Sequence, residues 1–230
     1  MNWNPPGKPA ELSEERLIEA ILSGHFPAGS NLPAERELAV QLGVTRPTLR
    51  EALQRLARDG WLEIHHGRPT RVRNYWEDGN LAVLGAIARH QENVPVDFVS
   101  NLLYIRKLLA PSYTSLAVSH APQAVLPVLQ DCQLLGSAAE DFAAADWNLH
   151  KALTIASGNP VFTLILNGFQ SLYSLMGLQY FSHAETRQHS RDFYAQLLDC
   201  IHQSDAQAAG LLAQTVMAES LDWWRALTST

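Results

Sequence analysis

Leu32–Arg73, LPAERELAVQLGVTRPTLREALQRLARDGWLEIHHGRPTRVR, places two short helical patterns, a glycine turn and a basic hairpin within 42 residues. Pro33 opens a helix that runs to Leu42 with the apolar stripe Leu38, Ala39 and Leu42, and Gly43 closes it. Thr45 is a good N-cap for the next helix, and Pro47 falls in its first turn, where a missing N–H costs nothing. That helix reaches about Asp59 and turns Leu49, Ala52, Leu53 and Leu56 inward. Two helices joined by a short turn containing Gly form a helix-turn-helix, whose second helix enters the DNA major groove by its N-terminal residues. Here those residues are Thr45, Arg46, Thr48 and Arg50. Arg46 and Arg50 lie within about 40° of each other around the helix, away from the centre of the leucine stripe. Both can point outward, arginine to grip guanine O6 and N7 and threonine to serve phosphate or a thymine methyl.

After Gly60, Trp61–Ile64 alternates, His65–Pro69 turns and Thr70–Arg73 alternates back, a short hairpin with a basic tip. Such a wing can reach the neighbouring minor groove, where His66 and Arg68 would meet a narrow, negative channel. A plain surface hairpin would show the same alternation; its place directly after a helix-turn-helix favours the wing.

Upstream, residues 1–10 hold three prolines and a glycine and read as a loose arm, and Leu17, Ile18, Ile21 and Leu22 recur at helical spacing from Glu11 onward. Downstream, residues 76–80 read as a linker between a winged domain over 1–75 and a helical domain over 81–230. Helical patterns cover roughly 81–90, 95–119, 122–136, 138–157, 160–182, 185–203 and 205–228, with no alternating segment among them. The expected architecture is mainly α: three helices plus a small β-hairpin, joined to an all-α antiparallel bundle of about seven helices. The segment 160–182 is apolar around much of its circumference, as a fully interior helix would be.

The 230 residues are 47% apolar and 17% charged, a globular composition large enough for one or two cores. The net charge of −6 argues against a nucleic-acid binder until its distribution is considered. Residues 36–73 carry eight arginines against four acids, whereas 76–230 carry seven basic against fourteen acidic groups. A small basic domain joined to a larger acidic one suits a regulator. Export-signal features are missing from MNWNPPGKPAEL, and no apolar run approaches the ~18 residues of a spanning helix. Cys132 and Cys200 sit in helical patterns without metal spacing and read as reduced thiols of a cytoplasmic protein.

The motifs Leu32–Leu38, Val44–Arg46, Leu49–Leu53 and Asp59–Leu62 resemble the GntR family of bacterial regulators, and the all-helical second domain resembles its FadR subgroup. Leu53–Leu62, His66–Gly67, Ala156–Pro160, Ile165–Gly168 and Tyr180–Phe181 carry the likeness over nearly the whole chain. FadR-type regulators are homodimers on a short palindromic operator. They repress fatty-acid degradation genes, activate some synthesis genes, and leave DNA when long-chain acyl-CoA binds the helical domain. The resemblance implies DNA contacts at Arg36, Thr45, Arg46, Thr48, Arg50, His66, Gly67 and Arg68, and effector contacts at Arg106, Tyr173, Tyr180, Ser220 and Trp224. Three positions depart from that pattern, which has threonine at Pro47, lysine at Arg68 and tyrosine at Val216.

Most members with this type of C-terminal domain bind a divalent metal through an Asp and a His four residues apart, and Asp146 and His150 match that pair. The remaining two ligand positions fall on Tyr194 and Val216, so the set is incomplete. A metal-dependent repressor sensing a small organic acid is therefore the alternative to an acyl-CoA switch. An enzyme using Asp146 and His150 as an acid–base pair lacks a nucleophile motif, a phosphate loop and a full metal set.

Overall fold

The computed structural model describes residues 9–65, 67–90 and 97–228, which form two compact units divided after residue 94. In the first, α1 (Pro9–Leu22), α2 (Glu35–Leu42) and α3 (Arg46–Asp59) precede β1 (Leu62–Glu63) and β2 (Arg71–Val72). The helix expected from Glu11 already begins at Pro9, where the Ser13 hydroxyl donates to the Pro9 carbonyl. Leu17, Ile18 and Ile21 of α1 are buried with Leu38, Leu49, Leu53, Leu56, Trp61 and Val72. Thr45 caps α3 as its spacing implied, with Oγ1 accepting from the Thr48 N–H at 3.4 Å.

β1 and β2 pair antiparallel, Leu62 opposite Val72 and Glu63 opposite Arg71. A third extended segment escaped the sequence reading: Asn31 bridges Arg71, the Leu32 N–H donates to Thr70 O at 2.8 Å, and the Val72 N–H donates to Ser30 O at 2.8 Å. The wing is thereby tied to the chain just ahead of α2.

The expected linker is structured. Asn74 caps α4 (Tyr75–Asp78), and Asn80 donates from its backbone to Asp59 O at 3.1 Å and from Nδ2 to Arg58 O at 3.3 Å. These bonds satisfy carbonyls that the end of α3 leaves open. Gly60, at φ +94°, permits the approach, since a Cβ there would stand 2.3 Å from Asp78 O. α5 (Leu81–Arg89) then packs on α3 and buries Val83, Ala86, Ile87 and Ala88, and the first compact unit runs through it.

The second unit holds seven helices among the described residues: α6 (Phe98–His120), α7 (Pro122–Gln133), α8 (Ala139–Ala156), α9 (Pro160–Gly168), α10 (Gln170–Phe181), α11 (Ala184–His202) and α12 (Ala206–Thr228). α6 and α12 pack along their length, and α8 touches α6, α7, α9 and α10. The single interior helix expected over 160–182 is instead two, bent by 67° at Phe169. Gly168 weakens the helix there, and the Phe169 N–H turns back to Leu166 O at 2.9 Å. Val161, Leu164 and Leu178 are exposed, so the pair is not enclosed on all sides. No single helix among the described residues is long and apolar enough to cross a membrane. Cys132 and Cys200 are free thiols, and burial pushes Cys132 up to about 12.

Candidate nucleic-acid interface and effector cavity

Thr45, Arg46, Thr48 and Arg50 gather at the N-terminus of α3, and Arg46 and Arg50 project into solvent. The hydroxyls of Thr45 and Thr48 bond each other at 2.8 Å. Arg36 is exposed on α2, Gly67 and Arg68 are exposed on the wing, and His66 lies outside the described residues. Glu35, absent from the sequence-derived candidates, enters this group. Its Oε2 accepts from Arg50 Nε at 2.7 Å and stands 3.8 Å from Arg46 Nη2. Charge pattern alone could not single it out among the acids of α1 and α2.

In the second unit the five effector candidates line one cavity. Arg106 comes from α6, Tyr173 and Tyr180 from α10, and Ser220 and Trp224 from α12, among Leu, Ile, Phe and Met side chains. Its volume is about 100 Å³. Tyr180 donates to Ser220 Oγ at 3.4 Å, and Ser220 donates to Val216 O at 2.8 Å.

A buried polar network backs the cavity wall. Arg106 Nη2 donates to Asp146 Oδ2 at 2.8 Å and meets His150 Nε2 at 2.5 Å. Tyr194 donates to Asp146 Oδ1 at 3.0 Å, and Tyr173 donates to Asp146 Oδ2. Burial, then the Arg106 charge, pushes His150 down to about 3, so it is neutral near pH 7. Because arginine only donates, Nε2 must accept, which puts the His150 proton on Nδ1; Nδ1–H then donates to the Tyr113 oxygen at 2.7 Å. Burial pushes the Asp146 carboxyl up, but Arg106 and the tyrosine O–H donors outweigh it and hold the group below its ordinary value.

This geometry does not suit a metal. Asp146 and His150 share a face as expected, yet the guanidinium already occupies the space between them. Among the described residues no group of three or more His, Cys, Asp or Glu side chains converges, and the Tyr194 hydroxyl is engaged on Asp146. Tyr113 and Tyr194 were not recognised in sequence as network members. Seven-residue spacing, two helical turns, was the available signal for Tyr113, which shares a face of α6 with Arg106, as Tyr180 does with Tyr173 on α10.

Residues 10–72 match the model of the bacterial regulatory proteins of the gntR family, and residues 73–230 match that of the FadR C-terminal domain. The chain belongs to the GntR family, in the group with that C-terminal domain. The family boundary precedes α4 and α5, although both pack with the first unit. This GntR-family chain is 46% identical over 189 residues to the "Fatty acid metabolism regulator protein" of Pectobacterium carotovorum, covering 82% of this chain and 79% of that one. It is 44% identical over 194 residues to the protein of the same name from Erwinia tasmaniensis, covering 84% and 82%. A solved structure described as "Lar controls the expression of the Listeria monocytogenes agr system and mediates virulence" shares the fold at TM-score 0.67 and 18% identity, covering 96% of this chain and 98% of that one. The family and these named regulators make the chain a transcription regulator and not an enzyme.

Proposed function

We propose that the chain is a cytoplasmic, homodimeric regulator of fatty-acid metabolism. It binds a palindromic operator, represses degradation genes, activates synthesis genes, and is released by long-chain acyl-CoA. The relatives' name supports the metabolic assignment. The observation that carries the effector assignment is an apolar cavity with Arg106, Tyr173, Tyr180, Ser220 and Trp224 in its walls.

Each methylene buried there contributes about 0.8 kcal/mol, which makes an acyl chain a strong occupant. Arg106 and Tyr173 stand in the cavity wall and also hold Asp146, so an occupant that widens the space between α6, α10 and α12 strains their bonds. An effector that favours the widened state shifts the population toward it, and DNA affinity falls by a coupling energy of typically ~1–3 kcal/mol. Asp146 and His150 serve as network members in this reading; no observation favours the metal-dependent alternative.

The test is displacement of the protein from a duplex it has itself selected, by acyl-CoAs of increasing length, with free fatty acids as controls. Release at micromolar oleoyl-CoA and little release by short acyl-CoAs is the expected result. Binding unchanged by oleoyl-CoA would remove the effector assignment.

A further inference from the structure

The two arginines expected to read bases share one carboxylate. Glu35 is the first residue of α2, and its Oε2 accepts from Arg50 Nε at 2.7 Å with Arg46 Nη2 at 3.8 Å. A guanidinium offers two paired-donor edges, one along Nε and one at its end. Glu35 engages the Nε edge of Arg50. The open end edge is the fork that matches guanine O6 and N7.

Glu35 also places negative charge where a polyanion would arrive. The side chains of Arg46 and Arg50 are more than half exposed and that of Glu35 about one-third, so the cluster faces solvent. Non-specific DNA affinity comes from cations that neutralise phosphates. A carboxylate between two such cations weakens that attraction for every sequence alike, while a guanidinium held by one edge keeps its base-reading edge aimed.

We propose that Glu35 is a positioning residue that sets base selectivity: it orients the Arg50 fork and reduces phosphate attraction at the N-terminus of α3. This inference rests on the DNA-reading function proposed above. Ala34, the N-cap of α2, makes no side-chain capping bond, and Glu35 sits in the first turn, where a carboxylate suits the helix dipole. Glutamine keeps its size and removes its charge, which makes Glu35→Gln the informative change.

The experiment uses the full chain and two duplexes, one recovered by the wild type from a random-sequence pool and one scrambled at equal base composition. Both are titrated at several salt concentrations with wild type, Glu35→Gln, Glu35→Asp, Arg50→Lys and the Glu35→Gln/Arg50→Lys double variant, each checked for unchanged melting. Glu35→Gln should bind the scrambled duplex more tightly and steepen its salt dependence by about one phosphate. The selected-to-scrambled affinity ratio should fall on the order of tenfold, the discrimination carried by a bidentate arginine. Glu35→Asp, which keeps the charge, should return the salt dependence toward wild type. With lysine at position 50 there is no fork to orient, so Glu35→Gln should then leave the ratio within about twofold. Equal changes on both duplexes, or a loss of ratio that persists with Arg50→Lys, overturn the role of Glu35. A wild type that recovers no preferred duplex overturns the DNA-reading function itself, an outcome distinct from the other two.

Discussion

Arg50 meets Glu35 at 2.7 Å in the first unit, and Arg106 meets Asp146 at 2.8 Å in the second. Bond lengths this similar conceal different energies. The side chains of the first pair are 58% and 33% exposed, those of the second 19% and 4%. Exposed pairs contribute about 0–1 kcal/mol, because water and salt replace either partner. A buried pair is dear to break from one side, since the charge left behind stays out of water and removing one partner costs about 3–5 kcal/mol. The exposed pair can therefore give up its carboxylate at little cost, whereas the buried one holds α6 to α8.

The largest effect expected from this contrast is Arg106→Ala. It leaves Asp146 with only the Tyr173 and Tyr194 hydroxyls and should lower unfolding stability by about 3–5 kcal/mol, read as a shift in the urea midpoint. Replacing both partners, as Arg106→Met with Asp146→Leu, should recover part of that loss, limited by the Tyr173, Tyr194 and His150 groups left without their partners. If the single variant lost under about 1 kcal/mol, the buried pair would behave like a surface one and the comparison would fail.

Next in size is a pH effect from the second unit. His150 has its pKa lowered from 6.5 to about 3, so below pH 6.5 the unfolded chain takes up a proton that the folded chain refuses. Its contribution is fully present above pH 6.5 and declines as pH falls, by at most about 1.4 kcal/mol per unit. Asp146, also lowered, adds its own loss only below its unfolded value of 3.8. Between pH 6.5 and 4, His150→Gln, which keeps an acceptor for Arg106 without titrating near neutrality, should flatten that slope. A slope unchanged by the variant would assign the acid sensitivity elsewhere.

How much of this was legible in the sequence depended on how local the cause was. Helix stripes, the Thr45 cap, the turn at Gly43 and the Asp146–His150 spacing are set within a few residues, and they were readable. The bend at Phe169 was not, because a largely apolar segment satisfies helical spacing whether or not it breaks. Nor could α5 be assigned to α3, or Asn31 to Arg71, since the partner of an apolar face or strand edge is decided by distant residues. The effector candidates came from resemblance, whereas the way Tyr113 and Tyr194 complete the network around Asp146 and His150 required three dimensions.

At the DNA-facing end, Arg46→Ala should cost about 1–3 kcal/mol on a selected duplex and relax base preference, whereas Arg36→Ala should weaken all sequences alike. Anisotropy titrations on selected and scrambled duplexes separate the two. Equal losses on both duplexes for Arg46→Ala would reassign it to phosphate.

The smallest effect is the sharpest check on the opening contrast. Glu35→Gln removes one partner from an ion pair as short as the buried one, so a rule based on distance alone would give it a stability loss like that of Arg106→Ala. Exposure says otherwise, because the freed Arg50 and Arg46 already reach water and recover hydration when the carboxylate goes. The expected change in unfolding free energy is under about 1 kcal/mol, and raising the salt concentration should shrink it further. A loss of several kcal/mol would mean that Glu35 supports α2 and α3 as structure, and selectivity changes in that variant would then follow from a loosened recognition helix rather than from the orientation of Arg50.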